Sequence, residues 1–166
     1  YYYAEASADI PSWGNQGDQT IASLENADCP SGMIGLPYYL SETDICVPDL
    51  FSTAVLSIQA AYYLFTTVTI NDEAVTADDW VGAFRCLEWN ADITSCMELG
   101  SCVGARKWDP SECADGVCDV PVMGDADDDF QNGFMTAGDI PAFKIFDVSE
   151  TQYYYAEASA DIPWAD

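Results

Sequence analysis

Histidine is missing altogether, and lysine plus arginine number only 4 against 29 aspartate plus glutamate, a formal net charge of −25. Without histidine, Ser-His and Cys-His nucleophilic pairs and imidazole-bound metals are excluded at the first step. So few cations exclude nucleic acid as a partner, because its binding rests on Lys and Arg contacts to phosphate. An anionic membrane surface would repel the chain for the same reason. No apolar run approaches the ~18 residues of a membrane span. Asn-x-Ser/Thr does not occur, which excludes N-linked sugar through that sequon and leaves O-linked sugar on the many Ser and Thr open. No phosphate loop, activated nucleophile or singled-out carboxylate pair is present, and the chain is read as a non-enzyme.

What is present is apolar and aromatic in quantity: 49% hydrophobic and 13% aromatic over 166 residues. That is enough for one domain with a real core and too apolar for a disordered acidic tail. The acidity keeps such a protein soluble and welcomes divalent cations, at a cost in self-repulsion.

Seven cysteines in an acidic chain of this size imply an oxidising, extracellular setting, with three disulfides and one thiol left over. Cys-x-x-Cys does not occur, so a zinc site is not expected. Connectivity is not deducible in general. Locally, Cys29 and Cys46 can close the stretch CPSGMIGLPYYLSETDIC, and Cys113 with Cys118 can clip the tight turn CADGVC.

The chain is organised by a repeat. Residues 1–11 read YYYAEASADIP and residues 153–163 read YYYAEASADIP again, an offset of 152. Self-similarity at a fixed period marks arrays, and this period is domain-sized. The implied organisation is a joining strand at 1–11, a β-domain at 12–152, and the repeated joining strand at 153–166. Within the domain, 25–50 is a disulfide-tied excursion and 87–101 an insertion loop.

Read as strands, the two copies place Tyr2, Ala4, Ala6, Ala8 and Ile10, and Tyr154, Ala156, Ala158, Ala160 and Ile162, on one face. That face is a narrow ridge of alanines between larger anchors, suited to a groove where backbones approach closely. An extended segment that adds to an exposed sheet edge gains main-chain hydrogen bonds, with alternate side chains giving specificity. These ten residues are the candidate subunit-joining residues.

Elsewhere, AAYYLFTTVTI reads as a strand bounded by Asn71-Asp72, and FKIFDVS (143–149) as another. FSTAVLSIQ also leans to strand. The echoes Val81-Gly82-Ala83-Phe84 and Val103-Gly104-Ala105-Arg106 read as neighbouring antiparallel strands whose glycines allow close backbone approach. Each Asp-Ile/Val-Pro marks a strand entry or exit. Short strands with turn signals between them predict an all-β, disulfide-tied antiparallel β-sandwich of immunoglobulin-like or jelly-roll-like type, with a terminal strand shared between neighbouring copies.

Two further surfaces are candidates. Asp125, Asp127, Asp129 and Asn132 in GDADDDFQNG offer alternate oxygens to a hard cation, so Ca2+ is the candidate metal, though the run lacks the glycine and closing glutamate of an EF-hand. Trp13, Trp89 and Trp108 lie beside turn residues, where exposed rings would stack on bound glycans; Trp80 reads as core. Arg85, Arg106 and Lys107 are expected to pair with acids.

At DDWVGAF (78–84), CVGARKWD (102–109), CDVPVMGD (118–125) and GDIPAFKIFD (138–147), the chain resembles the β-rich modules repeated in large secreted bacterial surface proteins. The resemblance runs over roughly residues 62–163, and residues 12–60 match much less. The chain departs from it by placing RCLEWNADITSCMELGS where those modules have a short turn. That insertion adds Cys86 and Cys96 as a further candidate pair, leaving Cys102 with Cys113 and Cys118. The resemblance implies a secreted, surface-associated module and no chemistry. In architecture the doubled end is similar to bacterial surface fibres in which a terminal strand completes the next subunit. The expectation is a structural subunit of an extracellular filament, a head-to-tail homopolymer. The alternative is a tandem adhesive or carbohydrate-binding module.

Overall fold

The computed structural model describes residues 3–6, 24–27, 29–35, 46–54, 56–126 and 133–165. The chain divides into two compact units, Tyr1–Val47 and Pro48–Asp166. No α-helix occurs among the described residues, and the sheets are antiparallel, as the alternation of apolar residues predicts.

In the first unit β1 (Tyr3–Ala6) pairs antiparallel with β2 (Leu24–Ala27), Tyr3 opposite Ala27 and Ala6 opposite Leu24. Strand β3 (Met33–Gly35) pairs with β4 (Cys46–Pro48), and the Cys29–Cys46 disulfide ties this stretch.

The second unit is built on β5 (Ala60–Phe65), β6 (Thr69–Ile70), β7 (Glu73–Ala74), β8 (Trp80–Trp89), β9 (Cys96–Lys107), β10 (Cys118–Met123), β11 (Pro141–Asp147) and β12 (Gln152–Ala156). A four-stranded sheet runs in the order β12-β11-β8-β9, and β10 pairs with β5 in a second layer. Val81, Ala83, Val103, Phe143 and Ile145 from the sheet and Val120 and Val122 from β10 bury one common core, with Tyr63 and Phe65 of β5 packed against it. Burial of apolar area on that scale is the main stabilising term. The layers meet most closely at Gly104, where a β-carbon would lie 1.7 Å from the Pro121 carbonyl oxygen. Only glycine fits that crossing.

The other face of the sheet is covered by a short 3-10 turn, Asp49–Phe51. The Phe51 ring occupies the space above Gly82, 5.9 Å from Phe84 and 5.5 Å from Tyr153 between centroids.

Several sequence expectations are revised. Among its described residues FSTAVLSIQ forms no strand: it enters through the 3-10 turn, and residues 56–59 are irregular. AAYYLFTTVTI is broken after Phe65, so Tyr63 and Phe65 turn inward while Tyr62 and Leu64 are exposed. Asn71 (φ 50°) and Asp72 (φ 69°) then close the two-residue β6–β7 hairpin, the conformation a primed turn requires. Residues 87–101 are largely an extension of the β8–β9 hairpin rather than a loop, pinned by the Cys86–Cys96 disulfide. Asp119-Val120-Pro121 lies inside β10 and not at its end. Proline is tolerated there because, among the described residues, β10 has a ladder partner on one side only. Trp108 is buried in the core against Phe65, not exposed as a platform.

The echoed strands are neighbours as expected, Gly82 opposite Ala105 and Ala83 opposite Gly104. The six candidate cysteines pair as Cys29–Cys46, Cys86–Cys96 and Cys113–Cys118. Cys102 is the free thiol, and it is buried.

Candidate functional site

The second copy of the repeat is an edge strand. Asp147 closes the turn into it: its carboxylate accepts from Ser149 Oγ at 2.8 Å and the Glu150 amide at 2.9 Å. Those two hydrogen bonds hold its carboxyl below the usual range. Thr151 takes a left-handed φ of 56° and β12 then runs antiparallel to β11, with Tyr153 opposite Phe146, Tyr154 opposite Ile145 and Ala156 opposite Phe143.

The two faces of the ribbon divide as the alternation predicts. Tyr154, Ala156 and Ala158 pack against the core cluster. Tyr153 turns to the opposite face, 4.6 Å from Phe146, where its hydroxyl donates to the Asp49 carboxylate and accepts from the Leu50 amide at 3.1 Å. Burial, and then the neighbouring Asp49 carboxylate, raise the Tyr153 hydroxyl above its ordinary pKa. Tyr155 accepts from the Cys96 amide at 2.7 Å, which ties the ribbon to the start of β9.

Beyond Ala156 the ribbon leaves the sheet. Ser159, Ala160, Asp161 and Ile162 are exposed, with the Tyr63 hydroxyl donating to the Ile162 carbonyl at 3.0 Å. It ends on Trp164, which is buried. The indole occupies the space above Gly124, and its Nε1 donates to the Val122 carbonyl at 2.9 Å. The Trp164 amide donates to the Asp139 carbonyl at 2.7 Å, and its carbonyl accepts from Gly138 at 3.0 Å.

Trp164 escaped the reading of the sequence, yet a signal for it exists. Thr76-Ala-Asp-Asp79 and Thr136-Ala-Gly-Asp139 open the β8–β9 and β11–β12 hairpins alike. In each, the aspartate carboxylate accepts from the threonine amide and hydroxyl, at 2.7 and 3.0 Å in the first and 2.9 Å for both in the second. In each, the aspartate carbonyl accepts the amide of a buried tryptophan beyond the hairpin, Trp108 or Trp164, at 2.7 Å. The module thus contains the same hairpin device twice, and the second one includes the repeat.

A groove of about 650 Å³ lies along the ribbon, with Tyr62, Trp89, Tyr155, Glu157, Asp161 and Ile162 in its walls. No cation lines it.

Of the remaining candidates, Ala4 and Ala6 lie in β1 opposite Asn26 and Leu24. Ala160 and Ile162 are exposed. Tyr2, Ala8, Ile10, Trp13, Asp127, Asp129 and Asn132 lie outside the described residues. Asp125 is half-buried, its amide donating to the Met135 carbonyl at 2.9 Å. Among the described residues no group of three or more acids or cysteines converges as a metal site. Arg85 pairs with Asp139 at 3.1 Å, Arg106 with Asp119, and Lys107 with Asp78 at 3.7 Å, as expected. Among the described residues no helix is long and apolar enough to cross a membrane.

No protein family, curated protein or solved structure matches the chain.

Proposed function

We propose that this chain is a structural subunit of an extracellular bacterial filament or array, its copies joined head to tail through the repeated terminal strand. One observation carries the reading: the second copy of YYYAEASADIP begins, at residues 153–156, as the edge strand of a sheet, and the same eleven residues stand at the other end of the chain. A segment of that sequence is therefore competent to complete a sheet edge, and a neighbouring copy supplies one. Edge strands are ready templates for pairing with another chain, and β-augmentation draws its affinity from main-chain hydrogen bonds. Three disulfides suit an oxidising exterior and stiffen each unit. Divalent cations such as Ca2+ would offset repulsion between subunits of charge −25.

The test is electron microscopy and sedimentation of the purified chain, with and without Ca2+. Filaments that fall to single chains in denaturant without reductant are expected. A monodisperse monomer at every concentration and ionic strength would sink the reading.

The groove favours a second reading, a carbohydrate-binding module. Trp89, Tyr62 and Tyr155 line the groove together with Glu157 and Asp161, a lining suited to neutral sugars and hostile to anions. Retention on an insoluble neutral polysaccharide, lost in Trp89→Ala, would support it; no retention on any member of a panel would remove it.

A further inference from the structure

We infer that the ribbon at 153–163 serves two copies at once: its first half closes its own sheet, and its second half pairs with Leu24–Ala27 of a second copy. This rests on the assembly reading above and specifies the segments and the register.

The identical segments are seen doing different work. In the C-terminal copy, Gln152–Ala156 form β12 against β11. In the N-terminal copy, Tyr3–Ala6 form β1 against β2. Transferred by the repeat, Tyr3–Ala6 correspond to Tyr155–Ala158. The two pairings therefore overlap at only two residues, Tyr155 and Ala156. A strand has two hydrogen-bonding edges, and β12 stands last in the order β12-β11-β8-β9, so one of its edges has no ladder partner among the described residues. The same ribbon has room for both partners.

The residue just past each repeat decides which copy is donated. The C-terminal ribbon is held at both ends, by β11 and by Trp164 on Gly124. After the N-terminal repeat the residue at the corresponding place is Ser12, which has no indole to fill such a seat. The C-terminal ribbon thus stays with its own body and reaches outward. The β1 segment of the next copy is the one displaced.

The register is that of β1 on β2: Tyr155 opposite Ala27, Ala156 opposite Asn26, Glu157 opposite Glu25 and Ala158 opposite Leu24 of the second copy. Directly opposed residues of an antiparallel pair have α-carbons about 4.5–5.5 Å apart, within disulfide reach. The test mixes two full-length single variants, Ala158→Cys and Leu24→Cys, under mild oxidation, with Ala158→Cys and Asn26→Cys as the out-of-register control. Cys102 is buried and does not compete. Thermal melts of each variant confirm folding before mixing. The expected result is an Ala158–Leu24 cross-linked dimer in several-fold excess over the control pair. Filaments that form without this cross-link would overturn the shared ribbon and leave the assembly reading standing. Neither filaments nor cross-link would overturn both.

Discussion

The Trp164 indole stands where a side chain on Gly124 would be: a β-carbon built at Gly124 lies 2.3 Å from two of its ring atoms. This contact, with the Nε1 hydrogen bond to Val122, locks the terminal ribbon to the second layer.

Removing the latch is therefore costly. Trp164→Ala is expected to destabilise the fold by about 3–5 kcal/mol, the range for a buried large aromatic. Trp164→Phe keeps most of the ring and removes the Nε1 hydrogen bond to Val122, for about 0.5–1.5 kcal/mol. Gly124→Ala evicts the ring from the other side and costs about 1–3 kcal/mol. Urea unfolding monitored by tryptophan fluorescence ranks the three; a Gly124→Ala protein as stable as the parent would disprove the contact.

A second glycine separates steric from conformational cost. Gly104→Ala drives a β-carbon into the Pro121 carbonyl, a backbone atom that no rotamer change removes. A loss of about 3 kcal/mol or more, or failure to fold, is expected. Gly116→Ala meets nothing within 4 Å, and its φ of +78° alone sets a cost of about 1 kcal/mol. Comparing denaturation midpoints of the two variants checks the order.

Thiol counting tests the cysteine assignment. Burial pushes the Cys102 thiol up to about 12 and keeps it from solvent. No thiol should react with a disulfide reagent in native buffer, and one in denaturant without reductant. Replacing Cys86 and Cys96 together by alanine should free the β8–β9 tip and cost about 2–3 kcal/mol by the loop-closure relation. Three thiols in denaturant for the parent chain would mean that one of the pairs does not form.

Alkaline pH should unfold the second unit. Burial raises the Tyr63 hydroxyl from 10.0 to about 12 and Cys102 from 9.0 to about 12, and it raises Tyr153 as well. Each group binds its proton more tightly folded than unfolded. Their stabilisation is intact below pH 9 and is lost as pH rises through 12. Unfolding midpoints should be independent of these groups below pH 9 and fall steeply above it, with tyrosinate absorbance rising together with the loss of fold. Stability that is flat to pH 12 would contradict the burial of all three.

Much of the architecture could be read along the chain because it is local. The VGA echoes announced adjacent strands, and Asn71-Asp72 marked the end of a strand. The alternation in the repeat put Tyr154, Ala156 and Ala158 on one face, read as a joining face, and in the fold that face packs on the chain's own core. The misses are long-range. Trp108 sits beside turn residues in sequence, and it is buried because Phe65 and the Asp79 carbonyl meet it from 43 and 29 positions earlier. FSTAVLSIQ has the apolar content of a strand, but Phe51 is drawn over Gly82, and the segment meets the end of β10 at its last residue, Gln59, whose carbonyl accepts from the Gly124 amide.

Composition and spacing alone determined that the chain is β-rich, acidic, cystine-tied and doubled at its ends. The sequence could not say which job each copy of YYYAEASADIP performs, since identical residues have identical local preferences. Only the tertiary structure separates them. One copy lies against β11 with a tryptophan seated on Gly124, the other lies against β2, and the surroundings that differ are brought together from distant parts of the chain.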